Sequence, residues 1–125
     1  MGELTRKKID IYDRCEAFSC RVLEMLDEVT EEFRTRPIIS QMIRSATSVA
    51  ANMMEASEAQ SDKDFIHKLS IALKEAKETL YWIRVLKSRR LLKLSAIDKV
   101  FTEGQEIVKI LAAIKGKVMA RVPSG

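Results

Sequence analysis

Residues that break helices are scarce in this chain: 125 residues contain four Gly and two Pro, one of those Pro within the last three positions. A chain with so few breakers is predicted to be helical. Histidine is almost absent as well. A di-iron bundle needs two Glu-x-x-His units from facing helices, whereas the single histidine, His67, has only Asp64 three residues before it. The two cysteines, Cys15 and Cys20, stand five apart in a helical pattern, which points them to different sides and excludes a local disulfide. They read as reduced packing residues, and neither has a histidine at a spacing that would activate it. No apolar run approaches the roughly 20 residues of a membrane span. Met1 to Lys8 lacks the hydrophobic segment of a signal peptide. These absences predict a soluble, cytoplasmic, non-enzymatic protein with no membrane partner, cofactor, metal or small-molecule substrate.

What is present fits one globular domain spanning 1–125. Apolar residues make up 46% and charged residues 32%, enough for a single core without staples. The net charge of +4 is unevenly placed. Residues 1–60 hold eight Lys/Arg against eleven Asp/Glu, and residues 61–125 hold fourteen against seven. An acidic half and a basic half either create an anion-attracting face or let identical subunits attract each other.

Apolar residues at spacings of three and four mark four helices. Ile11, Cys15, Phe18, Val22, Met25 and Val29 predict a first helix over about 4–34. Pro37 suits the first turn of a second helix that runs to about Ala59, with Ile39, Met42, Ile43, Ala46, Val49, Ala50 and Met53 as its apolar side. Ser61 with Asp64 resembles a capping box opening a third helix through about Ser88, and Ser95 with Asp98 repeats that start signal for a fourth. Gly104 interrupts the last helix at about 1 kcal/mol against Ala and reads as a close helix contact. Short connections force neighbours antiparallel, so the predicted architecture is an all-α, up-down-up-down four-helix bundle.

The stretch QMIRSATSVAANMMEAS, residues 41–57, contains no lysine, yet it carries a continuous polar stripe of Gln41, Arg44, Ser48, Asn52 and Glu55. If the second and third helices turn near residue 60, Arg44 lies level with Glu75 and Glu78, and Glu55 and Asn52 lie near Lys68. The two stripes would then meet as a ladder of charge-assisted hydrogen bonds, within a chain or between subunits. The plainer alternative is a set of half-solvated i,i+4 partners worth a few tenths of a kcal/mol each.

Lys74, Lys77, Arg84, Lys87, Arg89, Arg90 and Lys93 enrich one outer edge and the loop after the third helix. Such residues hold phosphates of RNA or DNA, although cations near a helix C-terminus are also favoured by its dipole alone. His67 shares an outer stripe with Lys63, Lys74 and Lys77, and reads as exposed or facing a partner. Tyr81 and Trp82 read as packing or subunit contacts.

RSATSVAANMMEA at 44–56, followed by DFIHKLSIALKEAKETLYWIRVL at 64–86, resembles the family first noticed as reading frames within intervening sequences of bacterial 23S rRNA genes. Its members typically carry Arg-Ser-Ala-Thr-Ser-Val-Gly-Ala-Asn and a later Lys-Glu-Ala-x-Glu-Thr-x-Tyr-Trp-Leu. Arg44, Ser48, Asn52, Glu55, Phe65, Lys68, Lys74, Glu75, Glu78, Tyr81 and Trp82 map onto that pattern. Ala50 stands where Gly is common, Met53 and Met54 where an aromatic and a polar residue often occur, and Arg84 where Glu is frequent. The resemblance implies an antiparallel bundle that assembles into a ring-shaped homopentamer without settled activity. A similar bundle, the accessory protein of diversity-generating retroelements, uses a basic barrel to engage RNA and a reverse transcriptase, which makes nucleic-acid binding the second expectation.

Overall fold

The computed structural model describes residues 2–123, with side chains from Ile11 onward except Leu94; Met1 and residues 124–125 lie outside the described part of the expected domain. Four helices follow in order: α1 (Gly2–Leu26), α2 (Arg36–Ser57), α3 (Asp62–Ser88) and α4 (Leu94–Met119). Each packs against its neighbours in sequence, and α1 closes the bundle against α4, so α1 and α3 stand diagonally opposite, as do α2 and α4. This is the antiparallel four-helix bundle that the helical spacing predicts.

The core is built from one stripe of each helix. Phe18 and Val22 of α1, Met42 and Met53 of α2, Ile83 of α3 and Ile107 of α4 are fully buried. Gly104 sits where α4 packs tightly on this core: a Cβ there would stand 2.6 Å from Leu80 Cδ2 and 3.0 Å from Phe18 Cε1.

Three expectations about helix ends are corrected. The first helix stops at Leu26 rather than near residue 34. Asp27, Glu28, Glu31 and Glu32 would oppose the negative end of its dipole, and no basic residue occupies its last turn. The connection is tied instead by Thr35, whose hydroxyl donates to the Thr30 carbonyl at 2.6 Å and accepts from the Glu32 amide at 2.8 Å. Val29 is still buried there, so its spacing signalled burial rather than helicity. The second helix ends at Ser57, short of Ala59. Ser95 does not cap the fourth helix, which begins at Leu94 behind Lys93 with no side-chain cap, while Asp98 pairs with Lys87 at 3.7 Å. Ser61, by contrast, does cap α3, accepting from the Asp64 amide at 3.1 Å.

Two packing expectations also change. Cys15 is buried, and burial pushes its thiol up to about 12, but Cys20 is exposed. Ile43 is 42% exposed, since it lies past the edge of the apolar stripe towards α1. The third helix closes with Leu91 N–H on the Leu86 carbonyl and Arg90 N–H on the Lys87 carbonyl, which places Arg90 in the left-handed region at φ 55.

Candidate functional site

The polar stripe of α2 meets α3 at the depth that the hairpin geometry requires. Arg44 Nη1 donates to Glu75 Oε2 at 2.8 Å, its Nη2 donates to Glu78 Oε2, and its Nε donates to Gln41 Oε1 at 3.1 Å. Trp82 Nε1 donates to the same Glu78 oxygen at 3.1 Å. That indole bond, followed by the Arg44 guanidinium, holds the Glu78 carboxyl below its ordinary value despite the opposing effect of desolvation. The hydrogen bonds that Arg44 donates to Glu78 and then to Glu75 push its pKa further up. One guanidinium thus bridges two carboxylates three residues apart on the neighbouring helix, a task suited to the fork of Arg and not to the point charge of Lys.

Two turns along, the ladder loosens. Lys68 Nζ reaches Glu55 Oε1 at 3.5 Å, with Lys68 half-buried and Glu55 exposed. Asn52 turns back on its own helix, donating from Nδ2 to the Ser48 carbonyl at 2.8 Å. The structure therefore brings Gln41, Arg44, Glu75 and Glu78 into one cluster and Glu55 with Lys68 into a weaker one. Ser48 and Asn52 join each other rather than α3.

Sequence reasoning missed the inner half of this contact. The Thr79 hydroxyl, fully buried, donates to the Glu75 carbonyl and shares a 2.8 Å hydrogen bond with the Ser45 hydroxyl. Ser19 of α1 donates to the Ala46 carbonyl, tying a third helix to the same level. The available signal was a hydroxyl residue at an apolar phase of each helix. Another missed pair joins α1 to α4, where Arg14 donates from Nη2 to Glu103 Oε1 at 2.7 Å and from Nε to Oε2 at 3.1 Å.

The basic residues separate into two groups. Lys74 and Lys77 lie exposed on the outer face of α3, with Arg84 also exposed nearer α4. Lys87, Arg89, Arg90 and Lys93 gather at the end of the bundle, where the first loop brings Arg34 and Arg36 from the acidic half. Arg34 and Arg89 border one open cleft of about 350 Å³, together with Glu32, Thr35 and Ile38. His67 is exposed on the outer face of α3. Among the described residues, no group of three or more His, Cys, Asp or Glu side chains is arranged to hold a metal ion, and no helix is long and apolar enough to cross a membrane.

Comparison with known proteins adds to this geometry. A sequence model of the 23S rRNA-intervening sequence protein matches residues 7–113. A crystal structure at 1.70 Å of a protein of unknown function from the S23 ribosomal protein family of Bacteroides thetaiotaomicron superposes with a TM-score of 0.76 at 36% identity, covering 84% of this chain and 97% of that one. No curated protein matches.

Proposed function

The chain belongs to the 23S rRNA-intervening sequence protein family, and from that premise we propose that it is a non-enzymatic scaffold acting through association, first of all with copies of itself. The observation that carries this reading is the engagement of Arg44 across the α2–α3 seam. All three of its nitrogens donate within the chain, to Gln41, Glu75 and Glu78, so the most elaborate polar cluster is spent on docking α2 to α3. A cluster engaged in this way fixes the shape of an assembling unit. Family resemblance makes the homopentamer the expected assembly. Sedimentation equilibrium of the full chain tests it: a mass of five chains is expected, and a monomer at every concentration would refute the reading. Arg44→Met is expected to lower the melting temperature, with Arg44→Lys failing to restore it; unchanged melting in both would remove the docking role.

A second reading is favoured by the bundle end, where Arg34 of the first loop meets Arg89 at the start of the loop that also carries Arg90 and Lys93. Arg34 and Arg89 border one cleft there, and although Glu32 shares it and Glu31 pairs with Arg36, the cations from two loops offer contacts for a nucleic-acid backbone. The logarithm of the binding constant for RNA or DNA should fall steeply with the logarithm of salt concentration, and binding should weaken when Arg89 and Arg90 are neutralised. Absence of binding at low ionic strength eliminates this reading.

A further inference from the structure

Two outer faces of contrasting charge point in opposite directions. α1 and α3 are diagonal partners, so the outward side of one faces away from the outward side of the other. On α1 that side carries Asp13, Glu16 and Glu24, all exposed, with Arg21 on the flank towards α4. Beside it, α2 presents an uncharged strip of Ile43, Thr47, Ala50, Ala51 and Met54, of which Ile43 is 42% and Met54 68% exposed. Tyr12, Asp13, Glu16, Ala50, Ala51 and Met54 border a groove of about 380 Å³ between the two helices. The outward ridge of α3 has the complementary character: Lys74, Lys77 and Tyr81, with Tyr81 57% exposed. Tyr81 is also pre-positioned. Its ring stands edge-on to Trp82 at 5.0 Å, and Trp82 is anchored to Glu78 of the Arg44 cluster.

We propose that the α3 ridge of one copy seats against the α1–α2 face of the next, head to tail, with Tyr81 on the uncharged strip and Lys74 and Lys77 facing Asp13 and Glu16. This rests on the self-association reading and names the surfaces that reading leaves open. The levels agree when neighbouring bundles stand parallel. Ser19 bonds Ala46, and its neighbour Ser45 bonds Thr79, so Ser19 and Thr79 share a depth. α1 and α3 run the same way, which sets Glu16 level with Ala76, between Lys74 and Lys77. Glu24 then stands level with Arg84. Arg21, the one mismatch in sign, lies on the flank of α1 towards Ala96 and Lys99 of α4, away from the α1–α2 groove. Because the two surfaces differ, the contact is heterologous, and it closes into a ring only if each step adds a rotation. The acidic and basic halves of the sequence thereby become the two sides of one repeated interface.

Charge reversal followed by charge swap tests the proposal on the full chain. Lys74→Glu with Lys77→Glu, or Asp13→Lys with Glu16→Lys, is expected to raise the dissociation constant of the oligomer by about tenfold or more, since like charges then meet across the contact. The fourfold variant carrying both reversals keeps the native net charge and is expected to assemble again. Mixing the two double variants should do the same. Circular dichroism melting confirms folding in each, because all four positions are exposed. Wild-type assembly that survives either double reversal overturns the proposal, as does a folded fourfold variant that stays dissociated. If the α3 reversal leaves the oligomer intact but abolishes binding of a single-stranded RNA probe, the ridge serves nucleic acid and the proposal is likewise overturned. A wild-type chain that is monomeric throughout removes the self-association reading itself, an outcome distinct from these.

Discussion

Replacing Gly104 by Ala sets two effects of known sign against each other within one helix. Alanine gains about 1 kcal/mol of helix propensity over glycine. The added Cβ, however, would stand 2.6 Å from Leu80 Cδ2 and 3.0 and 3.2 Å from the Phe18 ring. Carbon atoms pack at about 3.5–4.0 Å, so Leu80 must withdraw by roughly 1 Å, and the fully buried Phe18 ring must shift as well. Overpacking of this kind costs about 1–3 kcal/mol, leaving a net loss near 1 kcal/mol. Gly116 supplies the control: it lies in the same helix with nothing within 4 Å of its would-be Cβ. Gly116→Ala should gain up to about 1 kcal/mol. The two variants should therefore differ by about 2 kcal/mol, or roughly 8 °C in melting temperature for a domain of this size. Calorimetry at one protein concentration measures both, since self-association shifts melting with concentration. In a Leu80→Ala background the loss at Gly104 should shrink, because one of the colliding groups is gone. Equal stability of the two alanine variants would refute the close approach of α4 to α1 and α3.

Four further outcomes follow from the same coordinates. Thr79→Val removes a buried hydroxyl and leaves Ser45 short of a partner, so the urea midpoint should fall by the equivalent of about 1–2 kcal/mol; no change would mean that the inner pair contributes nothing. In the native protein one thiol per chain, that of exposed Cys20, should react quickly with a disulfide reagent, with Cys15 reacting only on unfolding; two fast thiols would contradict the burial that pushes the Cys15 thiol up to about 12. Because the folded state holds the Glu78 carboxyl below its ordinary value, its contribution is present above the unfolded carboxylate pKa and is lost as pH falls through the folded one. Urea midpoints from pH 7 to pH 3 should accordingly slope less in Glu78→Gln than in wild type, and identical slopes would refute the assignment. Arg90→Gly relieves a side chain at φ 55 and should raise stability by about 1 kcal/mol, and a drop in melting temperature would count against the left-handed turn.

Much of the fold is legible from the sequence because helical periodicity reports burial directly. The depth of the α2–α3 hairpin is legible too: a turn near residue 60 is enough to put Arg44 level with Glu75 and Glu78. What escapes has physical causes. Val29 keeps the apolar spacing after the helix has ended, since a loop residue can fill a core position as well as a helical one. Ser95 with Asp98 has the form of a start signal but lies one residue inside a helix that begins at Leu94. Ser45 and Thr79 are small enough to pass for spacers among alanines, and only the paired coordinates reveal two hydroxyls meeting inside. Arg34 and Arg89 are far apart in the chain and meet because two loops close the same end of the bundle, a tertiary fact with no local sign.

The arrangement around Arg44 explains why a bundle would keep charges at a helix seam. Nearby packing relies on Ala46, Ala72 and Ala76, all fully buried. Alanines present shallow ridges, which oppose sliding weakly because one turn of smooth surface resembles the next. A slip of α2 along α3 by one turn moves it about 5.4 Å. Arg44 would then be level with at most one of its two carboxylates, and the Thr79 hydroxyl would be drawn away from Ser45. A buried hydroxyl would lose its partner, and Glu75, only 8% exposed, would risk losing its counter-ion. The competing register is thus penalised at two kinds of contact at once, whereas the native register satisfies both. That register also sets Glu78 under Trp82 and so fixes where Tyr81 projects from the outer face of α3. The polar seam therefore governs the surface geometry of the unit while touching solvent chiefly through Arg44 itself.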